Sequence, residues 1–252
     1  MGTQQHKHDF EKFHQLHYRP KPFIIPNVWN AKSAQFVEAA GFNAMATSSG
    51  AIADSLGYKD GEQIPFAELM YVIKRIRAVT SVPLSVDFER GYTNDLSLLN
   101  EHVQTLIDTG ISGINIEDTQ GVDIYLQKLN SIRAYLENTG QQLFINARTD
   151  VYAQKLPSPL ETVIERAKLY EQAGANGLFV IAINDAAAIS KIVSSTTLPV
   201  HVVSTPAISI RTLEDCGVKR ISMAVQLYRS TYNNLEKVIK EVAKTRSFDA
   251  MF

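Results

Sequence analysis

A closed (β/α)8 barrel is the fold this sequence predicts, and three observations point to it. Short, β-branched apolar stretches alternate with amphipathic helical patterns along nearly the whole chain. Gly41, Gly110, Gly174 and Gly217 punctuate that alternation, each a few residues before a strand pattern. The chain has 252 residues, and barrels of this kind fill about 250 residues as one domain. An open doubly wound sheet is the runner-up. No Gly-x-Gly-x-x-Gly follows the first strand pattern, so the dinucleotide-binding version of that fold lacks its fingerprint.

Residues 1–22 read as a polar, solvated leader running into a short helix, ahead of a single barrel domain over 23–252. His6, His8, His14 and His17 fall in this leader. A metal site there is conceivable, but no cysteine or tight ligand framework accompanies them, and the solvated reading is preferred. Strand patterns follow at 23–26, 43–47, 83–89, 113–117, 142–147, 177–182, 199–204 and 220–224. Between them, Leu69, Val72, Ile73 and Ile76 fall at i, i+3, i+4, i+7, as do Leu235, Val238, Ile239 and Val242; Leu99, Val103, Leu106 and Ile107 mark another apolar helix face. The four glycines suit left-handed helix ends. Two other helices stop at Pro83 and Pro199, where proline cannot continue a helix.

Composition narrows the function. Lys plus Arg total 25 and Asp plus Glu total 26, a net charge of −1, so no basic excess draws the chain to nucleic acid or an anionic membrane. With 45% hydrophobic residues there is material for a sizeable core. Cys216 is the one cysteine, which forms no internal disulfide and fits a reducing compartment. The N-terminus has no apolar signal core, and His6 breaks the myristoylation pattern that Met1-Gly2 would open. The densest apolar run, Leu178 to Ile183, is six residues long, against the roughly 20 of a membrane span. A soluble cytoplasmic protein is expected.

Barrel active sites gather at the C-terminal ends of strands. There the sequence places Ser49, Gly50 and Ala51, then Asp87 and Glu89, then Glu117, then Arg148, on four consecutive strands. Asp87 and Glu89 are two apart and share one face of an extended segment. Three convergent carboxylates repel one another unless a cation neutralises them, and hard oxygen ligands without Cys or His suit Mg²⁺ or Mn²⁺ over zinc. Arg148 suits a substrate carboxylate or phosphonate, and the small-residue turn at 49–51 suits an anion through its backbone N–H groups. Helix capping or surface ion pairing would explain any one of these acids, but not so well the whole set.

The stretches 26–60, 83–92, 113–118 and 145–150, with the segment around 173–180, resemble the isocitrate lyase/phosphoenolpyruvate mutase superfamily from residue 23 to about 225. The resemblance implies a (β/α)8 barrel whose eighth helix is exchanged with a partner subunit, in homodimers or homotetramers. It also implies an Mg²⁺-dependent enzyme acting on a small 2-oxo acid or its enol derivative. Asp87 then matches the direct metal ligand, and Glu89 and Glu117 match acids that hold the metal largely through water. Asp60 matches a further acid near the metal. Ser49, Gly50 and Ala51 match the loop on the substrate carboxylate, and Arg148 the arginine on the oxyanion or departing group.

Two departures from that pattern bear on the reaction. Lyases of the superfamily follow Ile-Glu-Asp with a mobile loop carrying Lys-x-Cys-Gly-His; here Ile116-Glu117-Asp118 runs into Thr119-Gln120-Gly121 without it, and the gating loop is shortened or lost. Cys216, before Gly217, reads as a half-buried helix-end thiol. Ile181 stands where the family places an acid or imidazole. Tyr92, Tyr152 and His201 are the replacement acids available, although each reads more simply as a packing or rim residue. A site that keeps its electrophilic half and loses much of its acid–base half suits C–C cleavage of a small oxo-diacid, with oxaloacetate decarboxylation the most concrete version. Phosphonopyruvate hydrolysis or rearrangement is the second reading, and a non-catalytic 2-oxo-acid binding protein the third.

Overall fold

The computed structural model describes residues 3–252, so Met1 and Gly2 lie outside the described residues. Its strands are β1 Phe23–Ile25, β2 Asn27–Val28, β3 Met45–Thr47, β4 Leu84–Asp87, β5 Gly113–Glu117, β6 Phe144–Thr149, β7 Gly177–Val180, β8 Val200–Val203 and β9 Arg220–Ser222. All pair in parallel in one sheet of order β1-β9-β8-β7-β6-β5-β4-β3-β2. β1 and β2 are two halves of one strand broken at Pro26. Proline has no N–H to give to a ladder, but its carbonyl still accepts from the Ala46 N–H at 2.9 Å. One half pairs with β9 and the other with β3, so the break brings the two edges of the sheet together. Eight strand positions result, as the alternation predicts.

The helices are α1 Thr3–Leu16, α2 Ala31–Ala39, α3 Ser49–Ser55, α4 Phe66–Arg77, α5 Leu96–Asp108, α6 Val122–Thr139, α7 Pro159–Gln172, α8 Ala186–Val193, α9 Ile210–Asp215 and α10 Gln226–Thr245, with a short 3₁₀ turn at Asp249–Met251. Gly41, Gly110, Gly174 and Gly217 have φ of 82°, 82°, 94° and 85°, the left-handed helix ends their spacing predicts. Leu69, Ile73 and Ile76 of α4 and Leu99, Val103, Leu106 and Ile107 of α5 are buried against the strands.

The 1–22 segment differs from the solvated leader expected of it. α1 buries Phe13 and Leu16 against Phe23, Ile25, Ala44, Ala46 and Phe144, the residues at the N-terminal ends of the strands. Phe13 meets Phe144 edge-on with centroids 5.5 Å apart, and His17 stacks on Phe144 at 4.0 Å. Asp9 of α1 pairs with the buried Arg77 of α4 at 2.7 Å. The polar faces of α1 hide this from composition: two buried apolar side chains, each contributing about 2–3 kcal/mol, seal the barrel floor. Burial holds the His17 imidazole well below its ordinary pKa, with the Arg220 charge adding to the effect.

Above that floor the barrel interior is polar. Ser85, Asn115, Asn146, His201 and Arg220 are all buried there. Asn146 Nδ2 donates to Asn115 Oδ1 at 2.8 Å and lies 2.9 Å from His201 Nδ1. At the other extreme α10 buries only Tyr228, while Leu235 and Ile239 on its apolar stripe are 47% and 57% exposed. Beside it an apolar groove of about 510 Å³ runs along α2, lined by Trp29, Phe36, Val37 and Leu227. Among the described residues no helix is long and apolar enough to cross a membrane.

Candidate active site

A cleft of about 550 Å³ opens at the C-terminal ends of the strands. Asp87, Arg148, Ser49, Gly50 and Asp60 line it, so most of the residues singled out from the sequence meet there. Glu89, Glu117 and Ala51 are not part of its wall.

Residues 49–51 are helical instead of forming the turn expected of them. Ser48 has extended backbone (φ −122°) and its Oγ accepts from the Ala51 N–H, capping α3. That bond uses the Ala51 donor, and Ala51 is fully buried. The Ser49 N–H and Oγ both donate to Asp87 Oδ2, at 3.3 and 2.9 Å. Of the three backbone N–H groups at 49–51, that of Gly50 has no hydrogen-bond partner among the described residues. Gly50 also gives Asp60 its room, since a Cβ there would lie 3.0 Å from Asp60 Oδ2.

Asp87 closes β4. Its backbone N–H donates to Thr47 Oγ1 at 2.9 Å, and its Oδ1 is buried without any partner. An unpaired buried carboxylate oxygen is costly and is the kind of donor a hard divalent cation takes. Among the described residues no three His, Cys, Asp or Glu side chains converge on one point. The donor set therefore fits an Mg²⁺ ion held directly by Asp87 and otherwise through water, since Mg²⁺ keeps several waters. It does not fit zinc.

The other two acids have protein partners. Glu89 Oε1 accepts from the Tyr92 hydroxyl at 2.7 Å and its Oε2 from the Glu62 N–H at 2.6 Å. Glu117 forms an ion pair with Arg148, Nη1 to Oε2 2.9 Å, and accepts from Thr119 Oγ1 at 3.0 Å. Burial pushes both carboxyls up to about 7, and the charge of Asp87 adds to the shift in each. A cation beside Asp87 would oppose that effect.

Arg148, on β6, is gripped from two sides. Asp150 accepts from its Nε at 2.9 Å and its Nη2 at 2.7 Å, in the bidentate geometry that suits guanidinium. Burial opposes its charge, but the carboxylates of Glu117, Asp87 and Asp150 outweigh this and keep it protonated. Asp150 takes two of its five donors in hydrogen bonds, and Nη1 meets Glu117 only as an ion pair. Phe179 and Ile181 form an apolar wall beside it.

The link after β5 is short: four residues, 118–121, join the strand to α6. Tyr92, Tyr152 and His201 are not part of the cleft wall. Tyr92 holds Glu89, Tyr152 packs against the core, and His201 is buried and stacked on Phe179 at 3.8 Å. Cys216 ends α9, with its thiol 3.4 Å from the Ala186 carbonyl.

Several residues of the cleft were not singled out from the sequence. Asp150, two residues after Arg148 in the same motif, stands behind the wall and grips that arginine. Lys59, Asp54, Tyr228 and Arg229 line the wall, with the Tyr228 hydroxyl donating to Asp54 Oδ2 at 2.5 Å. Tyr228 and Arg229 lie on α10 far along the chain, and no local spacing marks them.

A parallel barrel with this carboxylate, arginine and helix-capped serine at the strand ends is the scaffold of a lyase or mutase. Residues 13–243 match the family model described as phosphoenolpyruvate phosphomutase, and the chain belongs to that family. An oxaloacetate decarboxylase of Rhodopseudomonas palustris (strain BisB18) is 32% identical, covering 79% of this chain and 72% of that protein. The 2-methylisocitrate lyase of Escherichia coli (strain K12) is 28% identical over 82% of this chain and 74% of its own. A crystal structure of a candidate phosphonomutase from Burkholderia cenocepacia J2315 superposes with a TM-score of 0.88 at 32% identity, covering 94% of this chain and 99% of that one. The membership expected from the motifs and the barrel expected from the alternation both hold, and the chain is an enzyme of this lyase and mutase superfamily.

Proposed function

We propose that this enzyme is an Mg²⁺-dependent carbon–carbon lyase of a small 2-oxo diacid, and that its reaction is decarboxylation of oxaloacetate. The observation that carries this reading is the pairing of a well-built electrophilic site with a short link after β5 and an apolar Ile181 after β7. Asp87 Oδ1 and the Gly50 N–H have no protein partner among the described residues, and the Arg148 guanidinium lines the cleft beside them, while the 118–121 link is short and Ile181 is apolar. Relatives named for this activity support it.

In this reading the Gly50 N–H holds the carboxylate next to the keto group, beside Ser49, whose hydroxyl is tied to Asp87. Asp87, with Glu89 and Glu117 behind it, holds Mg²⁺ or Mn²⁺. When bound, the cation polarises the keto oxygen as a Lewis acid. The bond between C3 and the departing carboxylate breaks, and its electron pair moves toward the keto oxygen as carbon dioxide leaves. Arg148 stabilises the negative charge that develops there. Phe179 and Ile181 offer the leaving group an apolar wall, which favours a charged carboxylate becoming neutral. Loss of carbon dioxide requires no protein base, and a solvent proton then converts the enolate to pyruvate, so no protein acid is required either.

Pyruvate release from oxaloacetate, phosphonopyruvate and 2-methylisocitrate, each with Mg²⁺ and a no-enzyme Mg²⁺ control, tests this. Release from oxaloacetate above the control is expected. Turnover of phosphonopyruvate alone would replace the reading with P–C bond chemistry, the second reading, which the Burkholderia structure favours.

The uncovered stripe of α10 supports a homodimer or homotetramer that exchanges this helix. Truncation before Asn233 removes Leu235 and Ile239 and should lower the mass seen by light scattering and the melting temperature. A truncated protein of unchanged assembly and stability would count against exchange.

A further inference from the structure

Three residues that are not glycine share left-handed backbone in one cluster beside the cleft, Glu62 (φ 61°), Glu89 (φ 47°) and Tyr92 (φ 61°), apart from Ala224 on its wall (φ 46°). Such backbone persists only where the surroundings over-determine it. Here the surroundings are a reciprocal set of hydrogen bonds. The Glu62 N–H donates to Glu89 Oε2 at 2.6 Å, and the Tyr92 hydroxyl donates to Glu89 Oε1 at 2.7 Å. In return Glu62 Oε1 accepts the Arg90 N–H at 2.9 Å and the Tyr92 N–H at 2.8 Å. Its Oε2 accepts from Arg90 Nε at 3.1 Å and lies 3.0 Å from Nη2 as an ion pair, while Nη2 donates to the Gly61 carbonyl at 3.3 Å.

Two segments are joined in this way. One is 88–92, which follows Asp87. The other is 57–63, which carries Tyr58, Lys59 and Asp60 into the cleft wall. The second segment has no strand or helix of its own, and Gly57 and Gly61 turn through left-handed backbone (φ 80° and 94°) on either side of those three residues. It starts at the Tyr58 N–H bonded to the Ala53 carbonyl at 2.9 Å and ends at the buried Ile64. Between these points Glu62 makes most of the hydrogen bonds to the barrel, beside one from Arg90 to the Gly61 carbonyl, and Asp60 stands two residues before it.

We propose that Glu62 is a positioning residue of the active site, which fixes the segment presenting Asp60 and Lys59 to the substrate and registers it against the acids that follow β4. The proposal rests on the reading of the cleft as the reaction site. It assigns Glu62 no contact with substrate; its effect passes through Asp60.

Hydrogen exchange of the 57–63 amides tests the tie without any substrate. Glu62→Ala should speed that exchange about tenfold or more, as a local opening becomes easier. Glu62→Gln keeps Oε1 as acceptor for the two backbone N–H groups and should stay within about threefold of the parent. In steady state with Mg²⁺ and whichever 2-oxo acid is turned over, Glu62→Ala should lower kcat about tenfold, and Glu62→Gln should restore most of it. If Glu62 acts through Asp60, its loss in an Asp60→Ala background should cost less than about threefold, since coupled residues are not additive. Unchanged exchange in Glu62→Ala, or a full and additive loss in the Asp60→Ala background, would overturn the proposal. Should Glu62→Ala fail to fold, Arg90→Ala removes the Oε2 pair together with the bond to the Gly61 carbonyl and should give intermediate exchange; parent-like exchange there would also overturn it. If none of the three acids is turned over, the reaction assigned above fails, while the exchange comparison still decides on Glu62.

Discussion

Alanine at position 87 should weaken Mg²⁺ binding by about 100-fold or more, measured by calorimetric titration. Loss of a group behind a metal ligand already costs about 10–100-fold, and Asp87 offers the cleft a buried carboxylate oxygen that no protein donor satisfies. Glu89→Gln should do less, because both Glu89 oxygens already face Tyr92 and Glu62 and can act on the ion only through charge and water. Glu117→Gln should fall between the two, since it also frees Arg148 from one of its partners. Asp87 further anchors Ser49, so the substituted protein should bind the substrate carboxylate less tightly as well. Unchanged Mg²⁺ affinity in Asp87→Ala would remove the metal assignment from this site.

Arg148→Ala should lower Mg²⁺-dependent pyruvate formation by about 10²-fold or more, the range for losing a donor to developing negative charge. The reading is pyruvate release coupled to its reduction, with the Mg²⁺-only rate subtracted. Arg148→Lys should rescue little of it. The Asp150 carboxylate grips Nε and Nη2 together, and an ammonium has no planar fork to answer it. Thermal melts of both variants separate catalysis from stability, because Glu117 loses its partner in each. Cys216→Ser should leave the rate unchanged, as its thiol sits at the end of α9 against a backbone carbonyl. A rate in Arg148→Ala equal to the parent would leave the charge-stabilisation mechanism without its residue.

Much of this enzyme is determined by sequence alone. Strand and helix periods differ, and the glycine and proline punctuation has local conformational causes, so the eightfold alternation and its order follow directly from the chain. The strand-end acids and Arg148 follow too, because a parallel barrel sends every strand terminus to the same rim. What the sequence could not determine are the properties that depend on partners distant along the chain. The polar helix α1 is a floor because Phe13 meets Phe144 and Asp9 meets Arg77. Glu89 and Glu117 belong to the right strand ends, yet only tertiary contacts turn one toward Tyr92 and Glu62 and the other toward Arg148. The free Oδ1 of Asp87 is likewise a tertiary fact, since it depends on where Ser49 is and on what fails to reach the other oxygen. A carboxylate's type and position are written in the chain; its solvation and its partners, which set what chemistry it can do, exist only once the barrel has closed.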